Sequence, residues 1–94
     1  MAIKSFADRH SEALFYRNPT KKFGADIARA ARRKLVVLDA AIRLEDLASP
    51  PGNRLEALSR DRPGQHSIRV NDQFRICFRR RGGDAYDVEI TDYH

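Results

Sequence analysis

The chain predicts an α+β domain in which helices come first and an antiparallel sheet follows. Between Ala25 and Asp39 the apolar residues Ile27, Ala31, Leu35 and Leu38 recur at intervals of four, four and three, the stripe of a helix lying on a core. Further on the period falls to two. Ile68 and Val70, then Phe74, Ile76 and Phe78, then Tyr86, Val88 and Ile90 alternate with polar residues. Asn71-Asp72 and Gly82-Gly83-Asp84 supply the turns of a strand meander.

In chain order, residues 2–6 alternate in polarity and predict a short strand of undetermined facing. Asp8 to Tyr16, with Ala13, Leu14 and Phe15 after a charged start, predicts a short first helix. Asn18-Pro19-Thr20 ends it, because proline disfavours helix in the residue before it. The long helix over 25–39 carries Arg29, Arg32, Arg33 and Lys34 mainly off its apolar stripe, either a solvated basic face or an RNA contact. A second helical piece, Ile42 to Leu47, stops at Ser49-Pro50-Pro51-Gly52. Leu55 and Leu58 bracket Glu56 in a short extended segment. Ser67 to Val70, the run from Phe74 and the run from Tyr86 then complete the sheet, with Tyr86, Val88 and Ile90 expected on its apolar side.

Ninety-four residues make one domain, 1–94, with no repeats and no linker. Charged residues are 33% and hydrophobic ones 41%, a globular rather than a disordered balance. A net charge of +5 favours an anionic partner without choosing among nucleic-acid binders. One cysteine, Cys77, excludes an intramolecular disulfide and fits a reducing compartment. The first residues lack the apolar core of a signal peptide, and no stretch approaches the ~20 apolar residues that span a membrane. A soluble, cytoplasmic protein is expected.

Once the apolar sides of the strands are assigned to the helices, a polar face remains. It carries Arg69, Arg75 and Arg79 beside Asp87, Glu89 and Thr91. Cross-strand ion pairs explain part of this, at a few tenths to about 1 kcal/mol each. They explain less well the surplus of arginine, or the closing Asp92-Tyr93-His94, where a carboxylate, a phenol and an imidazole follow directly on a strand. Such groups move protons near neutral pH. An arginine on a rigid strand suits phosphate, since it donates parallel hydrogen bonds and neutralises charge in a pentavalent transition state. Arg75 is the best placed, anchored by Phe74 and Ile76 on either side.

Cleaving RNA without a metal takes a base for the 2′-hydroxyl, a cation for the phosphorane, an acid for the leaving 5′-oxygen, and groups that hold the bases in line. His94 can serve as acid or base, Arg75 as the phosphate clamp and Tyr93 as a stacking or proton-donating partner. Asp92 can orient His94 or raise its pKa. Glu56 is a second possible base. No metal is expected, because His10, His66 and His94 lack ligand spacing with Cys77, and no other cofactor is called for. The same basic surface also fits a ribosome-associated inhibitor that does no chemistry.

The runs Pro51-Gly52-Asn53-Arg54-Leu55-Glu56, Asp61-Arg62, Gly64-Gln65-His66-Ser67-Ile68-Arg69-Val70-Asn71 and Phe74-Arg75-Ile76-Cys77-Phe78 resemble the HigB family of bacterial toxins. So does the close from Gly83 to His94, and the opening Ile3-Lys4-Ser5-Phe6 extends the resemblance over essentially the whole chain. It implies the RelE-like fold, two N-terminal helices on a twisted, mainly antiparallel sheet. It also implies a type II toxin that enters the ribosomal A site and cuts mRNA, with a HigA-type helix-turn-helix antitoxin as partner. Carried over, the resemblance assigns catalytic roles to Arg75, Asp92, Tyr93 and His94. Some family members use a histidine and a lysine where this chain has Glu56 and Ser59. That departure leaves open which group starts the reaction, whether Arg60 or Arg62 replaces the lost cation, and whether the chain is a decayed toxin kept as its antitoxin's partner. Arg29, Arg32, Arg33, Lys34, Arg62, Arg69 and Arg79 are the expected contacts to RNA and the ribosome.

Overall fold

The computed structural model describes residues 1–59 and 62–92. Two helices, α1 (Arg9–Phe15) and α2 (Ala25–Ala40), precede a sheet of β1 (Glu56–Ala57), β2 (Gln65–Arg69), β3 (Phe74–Arg81) and β4 (Asp84–Asp92). The strands pair antiparallel in the order β1-β2-β3-β4. Both helices lie on one side of this sheet, α2 against β3 and β4 and α1 against β4. The α+β reading and its antiparallel meander are therefore borne out.

Asp8 starts α1 as its N-cap, its carboxylate accepting from the Ser11 amide at 2.7 Å and the Ser11 hydroxyl at 3.0 Å. The Ser11 hydroxyl in turn accepts from the Ile90 amide at 3.0 Å, which ties the helix to β4. Along α2, Ala31, Leu35 and Leu38 are fully buried, as the stripe predicts, and Ile27 packs at the edge of the core. They meet Ile68 of β2, Ile76 and Phe78 of β3, and Val88 and Ile90 of β4. Each fully buried aliphatic or aromatic side chain of this set contributes roughly 1.5–3 kcal/mol of transfer free energy.

The opening residues do not form a continuous strand. They make two isolated parallel bridges to β4, Ile3 to Ala85 and Phe6 to Val88. Lys4 and Ala7 amides donate to the Ala85 and Val88 carbonyls at 2.8 and 2.9 Å, so this segment and then Ser11 cover the exposed edge of β4. The expected helix over Ile42–Leu47 is instead a 3-10 turn, Leu44–Ala48. Asp46 pulls the entry tight by accepting from the Ile42 and Arg43 amides, both at 3.0 Å, and the prolines cut off any longer helix.

A third correction concerns β4. Cys77 pairs with Glu89 but Arg79 pairs with Tyr86, so β4 has one extra residue opposite β3. That bulge falls at Asp87, whose φ of 53° lies in the left-handed region. The phase of the strand flips there. Ala85, Val88 and Ile90 face the core, whereas Tyr86 emerges beside Arg79 on the far side, with the Arg81 guanidinium 5.0 Å from its ring centroid. Tyr86, Val88 and Ile90 are not one apolar face.

Candidate active site

Alternation on β2, β3 and β4 presents Gln65, Ser67 and Arg69, then Arg75, Cys77 and Arg79, then Glu89 and Thr91 on the side away from the helices. The register sets them in rows. Glu56, Ser67, Cys77 and Glu89 lie across all four strands, and Arg69, Arg75 and Thr91 form the next row. Ser67 and Cys77 are small enough to form a floor and are fully buried under the longer side chains. Burial pushes the Cys77 thiol up, against smaller opposing effects of Thr91, Arg62 and Arg75.

Arg75 lies over this floor with its side chain only 11% exposed. Its Nε donates to the Ser67 Oγ at 2.8 Å, and its Nη2 donates to the Arg54 carbonyl at 2.6 Å and the Ser67 carbonyl at 3.4 Å. The Glu56 carboxylate is 3.8 Å from the same Nη2. Arg54 reaches the site because it ends the 3-10 turn Pro51–Asn53 in a left-handed conformation, φ 45°. Around these groups Arg54, Glu56, Arg69, Asn71, Asp72 and Arg75 line a polar cleft of about 300 Å³. A larger hollow, about 510 Å³, opens beside α1 between Arg9, His10 and the Pro19–Lys21 loop. We assign the site to the smaller cleft, because the buried arginine and the carboxylate meet there.

The other predicted residues divide. Arg69 pairs with Asp72, Arg62 with Glu89 at 3.0 Å, and Arg79 with Asp87 at 3.5 Å, so all three border the same face within ion pairs. Asp92 pairs in register with Phe74, on the helix side of the pleat, and accepts from Gln73 Nε2 at 3.0 Å. The structure therefore does not bring Asp92 onto the row of Arg75. Tyr93, His94 and Arg60 lie outside the described residues.

Arg29, Arg32 and Arg33 belong to the opposite, helical side, where with Arg17 they line a cleft of about 320 Å³. Lys34 turns away from them to donate to the Asn53 side chain. Asn53 is fully buried and also holds the Leu47 and Ser49 carbonyls, so Lys34 closes a loop contact. His66 stays on the core side, stacked on Phe78, with burial and then Arg80 lowering its pKa.

Sequence reasoning missed Ser67, Arg54 and Arg17. A small polar residue in a strand, one pleat from an arginine on the neighbouring strand, was the available signal for Ser67. Nothing in the sequence marks Arg54 or Arg17 for the positive φ each adopts. Among the described residues no group of three or more His, Cys, Asp or Glu is arranged to hold a metal. No helix there is long and apolar enough to cross a membrane.

A two-helix layer on an antiparallel meander, with a nearly buried arginine on its polar face, is consistent with the RelE-like class of small toxins. The family profile described as "RelE-like toxin of type II toxin-antitoxin system HigB" matches residues 4–94, and the chain belongs to this HigB-like family. It is similar to Toxin HigB-1 of Vibrio cholerae, 49% identical over 69 residues that cover 73% of each chain. It is also similar to Endoribonuclease HigB of Proteus vulgaris, 33% identical over 92 residues, 98% of this chain and 99% of that one. A toxin of a type II system has an antitoxin as its partner.

Proposed function

We propose that this toxin is a ribosome-dependent endoribonuclease that cuts mRNA in the A site and so arrests translation. The observation that carries the reading is Arg75, held nearly buried in a polar cleft with a carboxylate 3.8 Å from its guanidinium. The relative in Proteus vulgaris that bears the name endoribonuclease supports it.

In the proposed reaction a base removes the 2′-hydroxyl proton and that oxygen attacks the adjacent phosphorus. Arg75 neutralises the phosphorane, and the bond to the 5′-oxygen breaks as an acid protonates it. The products are a 2′,3′-cyclic phosphate and a new 5′-hydroxyl. Among the described residues Glu56 is the base nearest Arg75. His94 is the proposed acid, with Tyr93 as a stacking or donating group and Asp92 at the end of β4 as its support. No metal takes part. Ribosomal RNA orients the message, so the protein supplies mainly geometry and charge, and free RNA is a poor substrate.

The helical arginines Arg29, Arg32 and Arg33 have a second role in this reading, as contacts to ribosomal RNA phosphates on the side of the sheet away from the message. Arg62, Arg69 and Arg79 rim the message side. A HigA-like helix-turn-helix protein is the proposed antitoxin, and the cytoplasm the site of action.

One observation favours a second reading. The protein itself occupies most of the Arg75 fork, which is compatible with a toxin that binds without cutting. Mapping mRNA 5′ ends on translating ribosomes separates the two. Cleavage gives new ends on ribosome-bound message, few on free message, and fewer with Arg75→Ala or His94→Ala. A folded chain that binds ribosomes and yields no new ends is a binder only.

A further inference from the structure

We infer that Ser67 is a positioning residue that sets which edge of the Arg75 guanidinium meets the scissile phosphate; this rests on the reading of Arg75 as the phosphate clamp. Ser67 is fully buried and does not itself reach substrate. Its two oxygens take one side of the guanidinium, Oγ from Nε at 2.8 Å and the carbonyl from Nη2 at 3.4 Å. The Arg54 carbonyl takes Nη2 again at 2.6 Å. An arginine has five N–H donors. With Nε and Nη2 held by the protein and no partner on Nη1 among the described residues, the pair on Nη1 is the edge offered to an anionic oxygen.

The arrangement is built by the fold rather than by the ligand. Ser67 lies between Glu56 on β1 and Cys77 on β3, with the Arg75 row beside it, so the hydroxyl arrives from the sheet floor. The Arg54 carbonyl arrives from above because that residue adopts φ 45°. An alanine at position 67 keeps the carbonyl but removes the acceptor for Nε. The guanidinium can then rotate about its last torsions, and the charge it brings to the phosphorane is no longer oriented in advance. A threonine keeps the hydroxyl.

Single-turnover cleavage on programmed ribosomes, with ribosome affinity measured separately, tests this on the full chain. Ser67→Ala is expected to slow cleavage about tenfold or more, the loss of one charge-assisted hydrogen bond, with affinity unchanged. Ser67→Thr retains more of the rate than Ser67→Ala. In an Arg75→Ala background, Ser67→Ala costs nothing further, since a residue acting through Arg75 has no role once Arg75 is gone. A rate within about twofold of wild type, or the same loss repeated in the Arg75→Ala background, overturns the assignment. Hydrogen exchange of the Arg75 Nε–H, followed by NMR on the wild-type chain, needs no variant and no cleavage. Slow exchange supports the inference, and exchange as fast as that of an exposed arginine overturns it. If the wild-type chain does not cleave at all, the proposed function fails while this exchange still decides how Arg75 is held.

Discussion

The Glu56 carboxylate lies 3.8 Å from the Arg75 guanidinium, across two strand pairings, although the two residues are nineteen positions apart in the sequence. The pair joins the nearest proton acceptor of the cleft to its only nearly buried cation among the described residues. Glu56 is about half exposed, so solvent screens the attraction and it adds little to stability. If Glu56 starts the reaction, Glu56→Gln lowers the single-turnover rate on ribosomes by about a hundredfold or more. Unfolding in urea changes by less than about 1 kcal/mol. A rate unchanged by that substitution removes Glu56 from the chemistry.

The cleft formed by Arg17, Arg29, Arg32 and Arg33 is on the helix layer, on the other side of the sheet from Arg75. Only Arg29 in it has an acidic partner among those described, the exposed Asp26 at 2.5 Å. Replacing Arg32 and Arg33 by alanine is expected to weaken ribosome binding and to flatten its dependence on salt, by roughly 0.7–0.9 in the log–log slope for each phosphate that is no longer neutralised. The rate of cleavage once bound stays the same. A titration of ribosome affinity against potassium concentration measures both the constant and the slope.

Much of this fold was legible because burial is periodic. Ile27, Ala31, Leu35 and Leu38 locate α2, and the alternation from Phe74 to Phe78 sets Arg75 on the face away from the helices. What the pattern cannot carry is a break in its own phase. The bulge at Asp87 inserts one residue, so Tyr86, an apolar residue at the right spacing, ends on the wrong side. Long side chains are equally illegible. Lys34 belongs to the basic run of α2 by sequence, yet it turns to the buried Asn53. Type and position single out Arg75 as a candidate, but the groups that hold it, Ser67 and the Arg54 carbonyl, depend on register and on one left-handed residue.

The same bulge yields a stability prediction. Asp87 holds a φ of 53°, a region that costs a side-chain-bearing residue about 1–2 kcal/mol and glycine almost nothing. Its pairing with Arg79 at 3.5 Å is half exposed and returns less than about 1 kcal/mol. Asp87→Gly is therefore expected to leave stability unchanged or slightly higher. Asp87→Val, β-branched and strained at positive φ, destabilises by about 1–3 kcal/mol. Urea denaturation of the three proteins tests the order.

Cys77 provides a pH prediction. Its thiol is fully buried beneath the arginine layer, and burial raises its pKa. In the unfolded chain the same thiol ionises above about pH 8.5. Over that window the folded state keeps a proton that the unfolded state has released, so stability falls as pH rises, until the folded thiol also ionises. Below the window the thiol contributes its full share. Cys77→Ala is therefore expected to lose a little stability at neutral pH by opening a small void, but to decline less steeply than wild type in alkaline buffer. The native thiol should also react with an aromatic disulfide reagent only as fast as the chain opens. Parallel alkaline slopes for wild type and Cys77→Ala would mean that burial and the arginines cancel, and rapid labelling of the folded protein at pH 8 would mean that Arg62 and Arg75 outweigh burial and hold a thiolate under the site.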